Sequence, residues 1–114
     1  MDEIISAAQA LANALRSSKL YADYRRGRLR LAEHPELSSR ILDFKKKQTA
    51  FEMKRMQNQS VTFEEEKYIS HLYSELMQNE YAKNFLDAED AFLTDYGRAM
   101  EIIASACEID VIST

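Results

Sequence analysis

The chain has 114 residues, of which 46% are hydrophobic and 30% charged, and its net charge is −4 at pH 7. It is too apolar for a disordered chain and too charged for a membrane protein, and its length suits one domain, residues 1–114. Two glycines and one proline are too few for the regular turns of a β-sandwich or barrel. We therefore expect an all-α fold, an antiparallel bundle of four to five helices with two long helices and no strands.

The distribution of charge and cysteine adds two expectations. Residues 1–57 hold 12 Lys and Arg against 7 Asp and Glu, whereas residues 58–114 hold 3 against 12. Oppositely charged halves suit either internal packing or the steering of partners. The start of the chain is acidic, at Asp2 and Glu3, and no apolar run approaches the ~18 residues of a membrane span. With Cys107 as the one cysteine, these features predict a cytoplasmic protein.

The first half of the chain predicts three helices. The first runs from about residue 2 to 16, with Ile4, Ala8, Leu11, Ala12 and Leu15 on one face. Ser17-Ser18 breaks the pattern and supplies an N-cap for a helix over about 19–33. Proline suits the first position of a helix, so a third helix is expected from Pro35 to about residue 57.

Two further helices are predicted in the second half. Residues 58–61 suit a loop, and Thr62 with Glu65 forms a capping-box pattern that opens a helix to about residue 78. Asn79 is a break or cap before a last helix over about 80–108. The apolar tail from Ile109 to Ile112 is expected to dock against the protein.

The lengths of the helices predict self-association. At ~1.5 Å per residue the third helix is roughly 34 Å long and the last roughly 43 Å, against a diameter of roughly 34 Å for a compact domain of this size. An overhanging apolar face needs another chain to cover it, so we expect a homo-oligomer, a dimer or higher. The candidate interface residues lie on the apolar faces of these two helices: Leu37, Ile41, Phe44, Phe51, Phe85, Phe92, Tyr96 and Ile103. The same residues would also suit the core of a monomer, and the sequence leaves both open.

Catalytic and metal-binding patterns are weak, so we expect no enzyme, no catalytic residue, no metal site and no cofactor. The two histidines, His34 and His71, have no acidic residue three positions before them, as a helical di-metal site would need. Glu64-Glu65-Glu66 falls in a first helical turn, where carboxylates are stabilised by the helix dipole.

Two alternatives from other classes stay open. An RNA-binding module would use the two basic runs, although the acidic net charge makes nucleic acid an unlikely partner. These runs comprise Arg25, Arg26, Arg28, Arg30, Lys45, Lys46 and Lys47. A holdase-like chaperone would instead hold clients on exposed Phe51, Met53 and Met56.

An ordered set of motifs covers nearly the whole chain. The set comprises Ser18, Tyr21 and Tyr24, then His34-Pro35-Glu36-Leu37, Met56-Gln57-Asn58-Gln59, Thr62-x-x-Glu65-Glu66, Phe85-Leu86-Asp87-Ala88-Glu89-x-x-Phe92 and Ile102-Ile103. In this order the chain resembles the YlbF/YmcA family of small helical bacterial regulatory proteins.

The resemblance implies a non-enzymatic adaptor that acts by protein–protein association. Members join related small helical chains and a larger regulatory partner in a heteromeric complex. That complex influences messenger-RNA processing by ribonuclease Y and, with it, competence, biofilm formation and sporulation. Some such complexes carry iron–sulfur clusters held by several cysteines. This chain departs from them, because Cys107 would be at most one ligand of a cluster shared with partners.

Overall fold

A computed structural model describes residues 2–109, and over this range it contains five helices and no strand. The helices are α1 (Asp2–Arg16), α2 (Lys19–Leu31), α3 (Pro35–Met56), α4 (Phe63–Met77) and α5 (Glu80–Ala106). The predicted all-α class is therefore confirmed. No helix in this range is long and apolar enough to cross a membrane. The tail predicted to dock lies, from Asp110 onward, outside the described residues.

Side-chain hydrogen bonds cap the starts of α2, α4 and α5, and a proline begins α3. The Ser18 hydroxyl accepts a hydrogen bond from the Tyr21 N–H at 3.2 Å, and Pro35 occupies the first turn of α3. The Thr62 hydroxyl accepts from the Glu65 N–H at 3.0 Å, and Asn79 Oδ1 accepts from the Ala82 N–H at 3.1 Å. Each cap satisfies a backbone donor that the first helical turn leaves without a partner.

Two helix ends are closed by left-handed residues that are not glycine. Asn58 has φ 58° after α3, and the Gln59 N–H donates to the Lys54 carbonyl at 2.8 Å. Glu108 has φ 54° after α5, and the Ile109 N–H donates to the Ala104 carbonyl at 2.9 Å. This pattern ends a helix by satisfying its last carbonyls. The last residue of α5 is Ala106, two residues before the predicted end at 108. The last residue of α2 is Leu31, whereas the predicted end was 33.

The chain divides into two compact units. The central unit is Gly27–Leu86, which holds the end of α2, all of α3 and α4, and the start of α5. The terminal unit comprises, within the described range, residues 2–26 and 87–109, with α1, the start of α2 and most of α5. The single-domain assignment stays a prediction.

The central unit contains most of the buried side chains. Its buried apolar residues are Leu31, Leu37, Ile41, Phe44, Leu76, Ala82, Phe85 and Leu86. The Phe44 ring lies 5.7 Å from the Tyr73 ring, and the Lys54 ammonium lies 3.2 Å from a Glu65 carboxylate oxygen. These contacts join α3 to α4 along the length of the pair.

The terminal unit is held by an aromatic cluster. The Phe92 ring lies 5.3 Å from the Tyr21 ring and stacks on the Tyr24 ring at 5.7 Å between centres. Such pairs stabilise by about 0.5–1.5 kcal/mol beyond the area they bury. The cluster therefore fixes α2 to α5, whereas α1 has no comparable anchor and none of its fifteen residues is buried.

Candidate partner-docking surface

An open apolar groove runs between α1 and α5 in the terminal unit. Its volume is about 600 Å³. The side chains that line it are all apolar apart from one tyrosine hydroxyl: Ile4, Ala7, Ala8, Leu11, Ala12, Leu15, Tyr96, Met100 and Ile103. We refer to this set as the α1–α5 groove.

The groove keeps large side chains in contact with water. Ile4 is 72% exposed and Ile103 is 43% exposed, although both lie on the apolar faces of their helices. A stable surface helix normally buries its apolar face against the protein. Because fully burying an isoleucine stabilises by roughly 1.5–3 kcal/mol, a chain that covered this groove would gain free energy from it.

The surface of α1 is also unusual in charge. Asp2 and Glu3 lie in its first turn and Arg16 in its last, and no charged residue stands between Ile4 and Leu15. A helix at the surface of a protein carries polar or charged side chains on its outer face. The outer face of α1 carries the exposed, uncharged polar residues Ser6, Gln9 and Asn13, so its apolar residues form a single face.

The eight predicted interface residues fall into two groups. Leu37, Ile41, Phe44 and Phe85 are buried in the core of the central unit. For these four, burial within the central unit favours the core alternative that the sequence left open, because a side chain buried within its own chain has little surface left for a partner. A repeat of apolar residues identifies the face of a helix, but not the chain that covers it.

The other four predicted residues are partly exposed to solvent. Tyr96 and Ile103 line the α1–α5 groove, and the half-buried Phe92 lies in the aromatic cluster on the same helix. Phe51 is half-buried on α3, with the Arg55 guanidinium 6.0 Å from the centre of its ring. The docking role of these four stays a proposal, and three of them lie on α5 in the terminal unit.

The contribution of α1 to the groove was missed by sequence reasoning. The apolar face with Ile4, Leu11 and Leu15 was predicted as a helix face, but it was not assigned to docking. The signal was present in the sequence, since the twelve residues from Ile4 to Leu15 carry no charge. The structure was needed to show that no residue of α1 is buried.

The candidate nucleic-acid residues are spread over two helices and partly engaged. Arg26 pairs with Asp23 at 3.0 Å, and Lys45 lies 5.8 Å from the centre of the Phe85 ring. Lys47 forms an ion pair with Asp43, and the hydrogen bond to that carboxylate raises the lysine pKa above its ordinary value. Arg25, Arg28, Arg30 and Lys46 are exposed. Each contact is typical of a solvated helix face, where charged pairs stabilise weakly.

Each histidine makes a contact with one nearby side chain. The half-buried His34 ring stacks on Tyr81 at 4.5 Å, in a cleft of about 620 Å³ that Arg40 and Asn79 also line. The exposed His71 Nε2 lies 2.7 Å from a Glu75 carboxylate oxygen one helical turn away. Cys107 is a free, exposed thiol. Within residues 2–109, no three His, Cys, Asp or Glu side chains are grouped as metal ligands.

The fold and the groove define a class, the small all-helical protein with an exposed apolar groove. Within that class the chain belongs to the Com_YlbF family, described as control of competence regulator ComK, YlbF/YmcA, whose model matches residues 4–107. The resemblance that the sequence motifs predicted is thereby confirmed.

Two curated relatives match nearly the whole chain. The chain is 28% identical to a UPF0342 protein of Caldicellulosiruptor saccharolyticus, covering 96% of this chain and 91% of the relative. It is also 28% identical to a UPF0342 protein of Symbiobacterium thermophilum, covering 91% and 93%.

Two solved structures share the fold. A protein of unknown function (DUF964) from Bacillus stearothermophilus matches with a TM-score of 0.76, at 15% identity and 93% coverage of both chains. Bacillus subtilis RicA in complex with RicF provides a second match, with a TM-score of 0.57, 23% identity, and coverage of 95% and 97%. At these identities the likeness is one of fold.

Proposed function

We propose that this chain is a non-enzymatic regulatory adaptor that acts by binding other protein chains through the α1–α5 groove. The observation that carries the proposal is the exposure of the apolar side chains on both walls of the groove. Contiguous exposed apolar surface on a small protein marks a site of association, because water contact there costs free energy that a partner removes.

The comparisons support the regulatory part of this proposal. The family description names control of a competence regulator. One solved structure of the same fold is a complex of two proteins, RicA with RicF. We infer that this chain likewise assembles with related small helical chains and a larger regulatory partner. The assembly would act in the cytoplasm on messenger-RNA processing, and through it on competence, biofilm formation and sporulation.

The test is a groove variant with a matched control outside the groove. Ile4→Asp places a charge in the groove wall, and it should not unfold α1 because aspartate is favoured in a first helical turn. Leu42→Asp makes a similar change at an exposed leucine of α3 in the central unit. Affinity capture from the source cells should recover related helical chains with the wild type and Leu42→Asp, but not with Ile4→Asp.

Two further measurements make this test decisive. Each captured chain is purified and mixed with the purified protein. A binding assay on this mixture distinguishes direct binding from indirect capture through a third protein. Transcript ends are then compared between strains carrying each variant and a deletion strain. The Ile4→Asp strain should accumulate the same unprocessed transcripts as the deletion strain. Equal capture and equal processing by both variants would contradict the proposal.

A further inference from the structure

A cleft in the central unit has an aromatic wall. The half-buried His34 ring stacks on the exposed Tyr81 ring, with 4.5 Å between their centres and 28° between their planes. Both residues line the cleft, which has a volume of about 620 Å³ and which we refer to as the His34–Tyr81 cleft. This volume falls in the range of small-ligand pockets, about 300–1,000 Å³. The open space beside the rings can therefore receive a flat chemical group.

Hydrogen bonds fix the two turns that carry the rings. The His34 N–H donates to the Leu31 carbonyl at 2.8 Å, and the Ser38 hydroxyl donates to the same carbonyl at 2.9 Å. The Tyr81 N–H donates to Asn79 Oδ1 at 2.9 Å. A group that stacks on the rings therefore finds its binding surface already formed, which lowers the entropy lost on binding.

The charged side chains of the cleft favour a cation. Two carboxylates, Glu33 and Glu36, and one guanidinium, Arg40, line it. Among the described residues, neither carboxylate has an ion-pair or hydrogen-bond partner. Arg40 Nη2 lies 3.7 Å from Glu75 Oε2 on α4, so the charge of Arg40 is already offset within the protein. The two glutamates are left as the uncompensated charges of the cleft.

A guanidinium group suits this lining better than other cations do. It is planar, and it can stack on an aromatic ring while it donates two parallel hydrogen bonds to a carboxylate. An ammonium group lacks both the flat face and the paired donors. A metal ion needs several ligands together. Within residues 2–109, no three His, Cys, Asp or Glu side chains are grouped in that way.

Anionic and apolar ligands fit the cleft less well. A nucleotide or a free phosphate would bring negative charge beside two carboxylates, and like charges repel. An apolar ligand would remove those carboxylates from water without a compensating hydrogen bond. A guanidinium group avoids both penalties, because its positive charge and its N–H donors pair with the carboxylates.

We propose that the His34–Tyr81 cleft binds a guanidinium group, carried by a free small molecule or by an arginine side chain of a polypeptide. The guanidinium stacks on the aromatic wall and donates hydrogen bonds to Glu33 or Glu36. All residues that line this cleft belong to the central unit. The proposed site is therefore separate from the α1–α5 groove, and the inference goes beyond the proposed function.

NMR titration of the ¹⁵N-labelled protein measures this binding. The first probe is N-acetyl-arginine amide, whose only charge is the guanidinium. The second is N-acetyl-lysine amide, which has the same charge but no planar group. The arginine probe should shift the amide signals of residues 33–37 and 79–82 at millimolar concentration. The lysine probe should bind about fivefold more weakly, because it can neither stack nor donate paired hydrogen bonds.

Two variants remove the features that carry the proposal. Glu33→Gln with Glu36→Gln removes both negative charges at nearly constant size, and it should weaken binding of the arginine probe about tenfold. Tyr81→Leu removes the ring but keeps an apolar side chain, and it should weaken binding about threefold. Glu52→Gln, at an exposed carboxylate near the other end of α3, should bind as the wild type does. Circular dichroism checks that each variant keeps its helices.

Two further probes distinguish the sources of the group. Agmatine represents a free small molecule, and an acetylated, amidated tripeptide with arginine between two glycines represents a polypeptide. Tighter binding of the tripeptide assigns the cleft to an arginine of another chain. Tighter binding of agmatine assigns it to a small molecule. Either result supports a guanidinium site.

Three results would overturn the inference. One is the absence of shifts in residues 33–37 and 79–82 at about 20 mM of every guanidinium probe, where a site of millimolar Kd would be nearly saturated. Another is equal binding of the arginine and lysine probes, which would indicate a diffuse attraction of positive charge. The third is unchanged binding by the variant that lacks both carboxylates.

Discussion

Gly27 and Gly97 both lie inside helices, but the structure gives them different reasons to be glycine. A Cβ on Gly27 would lie 3.2 Å from the Phe85 Cα, which belongs to the backbone of α5. A Cβ on Gly97 would have no heavy atom within 4 Å. Close packing of the two helices therefore leaves a tight space for a Cβ at Gly27, whereas the surroundings of Gly97 leave open space for one.

This difference predicts opposite effects of the same substitution. Gly97→Ala should stabilise the protein by about 0.5–1 kcal/mol, because alanine is the better helix former. Gly27→Ala gains the same propensity but forces α5 away from α2, and overpacking typically costs about 1–3 kcal/mol. We expect net destabilisation by about 1 kcal/mol, measured by urea denaturation. A Gly27→Ala protein as stable as Gly97→Ala would contradict the packing of Phe85 on Gly27.

Burial of individual residues was only partly predictable from the sequence. The repeat that contains Leu37, Ile41 and Phe44 identified one face of α3 correctly, and the structure shows that this face is core. Whether an apolar face packs within its own chain or against another depends on tertiary contacts between residues far apart in the sequence. For that reason Phe85 and Ile103, on the same predicted face of the last helix, have different surroundings.

At the scale of elements, the starts of the helices were predicted well because capping is local. Ser18, Pro35, Thr62 and Asn79 act within a few residues of their own positions. The ends predicted at residues 33 and 108 lie two residues beyond the observed ends, Leu31 and Ala106. No glycine marks the end of α5, where Glu108 adopts the left-handed conformation instead. The capping-box pattern is found in the structure. The Thr62 hydroxyl accepts from the Glu65 N–H at 3.0 Å, and the Glu65 carboxylate reaches back to within 3.3 Å of the Thr62 hydroxyl while also accepting from Lys54 on α3.

The Lys54–Glu65 contact between α3 and α4 predicts a dependence of stability on pH. The hydrogen bond from Lys54 holds the pKa of Glu65 below its ordinary value of 4.5. Because the folded state favours the charged carboxylate, the contribution is present above 4.5 and is lost as the pH falls below that value.

Lys54→Met tests this dependence, with Lys46→Met as the control at an exposed lysine of the same helix. The pKa of Glu65, followed by NMR titration, should rise toward its ordinary value in Lys54→Met and not in Lys46→Met. The stability difference between the wild type and Lys54→Met should shrink as the pH is lowered below 4.5. An unchanged Glu65 titration in Lys54→Met would show that the contact does not persist in solution.

At the scale of the whole molecule, the two units differ in where they bury apolar surface. The central unit holds eight of the buried apolar residues, and within the described part of the terminal unit only Ala104 reaches the same degree of burial. Local stability follows buried contacts, so the terminal unit is the part that gains most from association. Self-association was predicted from the lengths of α3 and α5, and it stays a prediction. The apolar face of α1, which the length argument did not include, is a further candidate surface for it.

Amide hydrogen exchange along α1 tests the central claim most directly, namely that another protein chain covers the α1–α5 groove in the working state. The amides of α1 should be protected in the assembled protein. They should exchange much faster in Ile4→Asp and on dilution below the dissociation constant, while α3 and α4 stay protected throughout. If instead the α1 amides of a dilute, monomeric sample are as protected as those of α3, the helix is stable without a partner and the docking account is wrong.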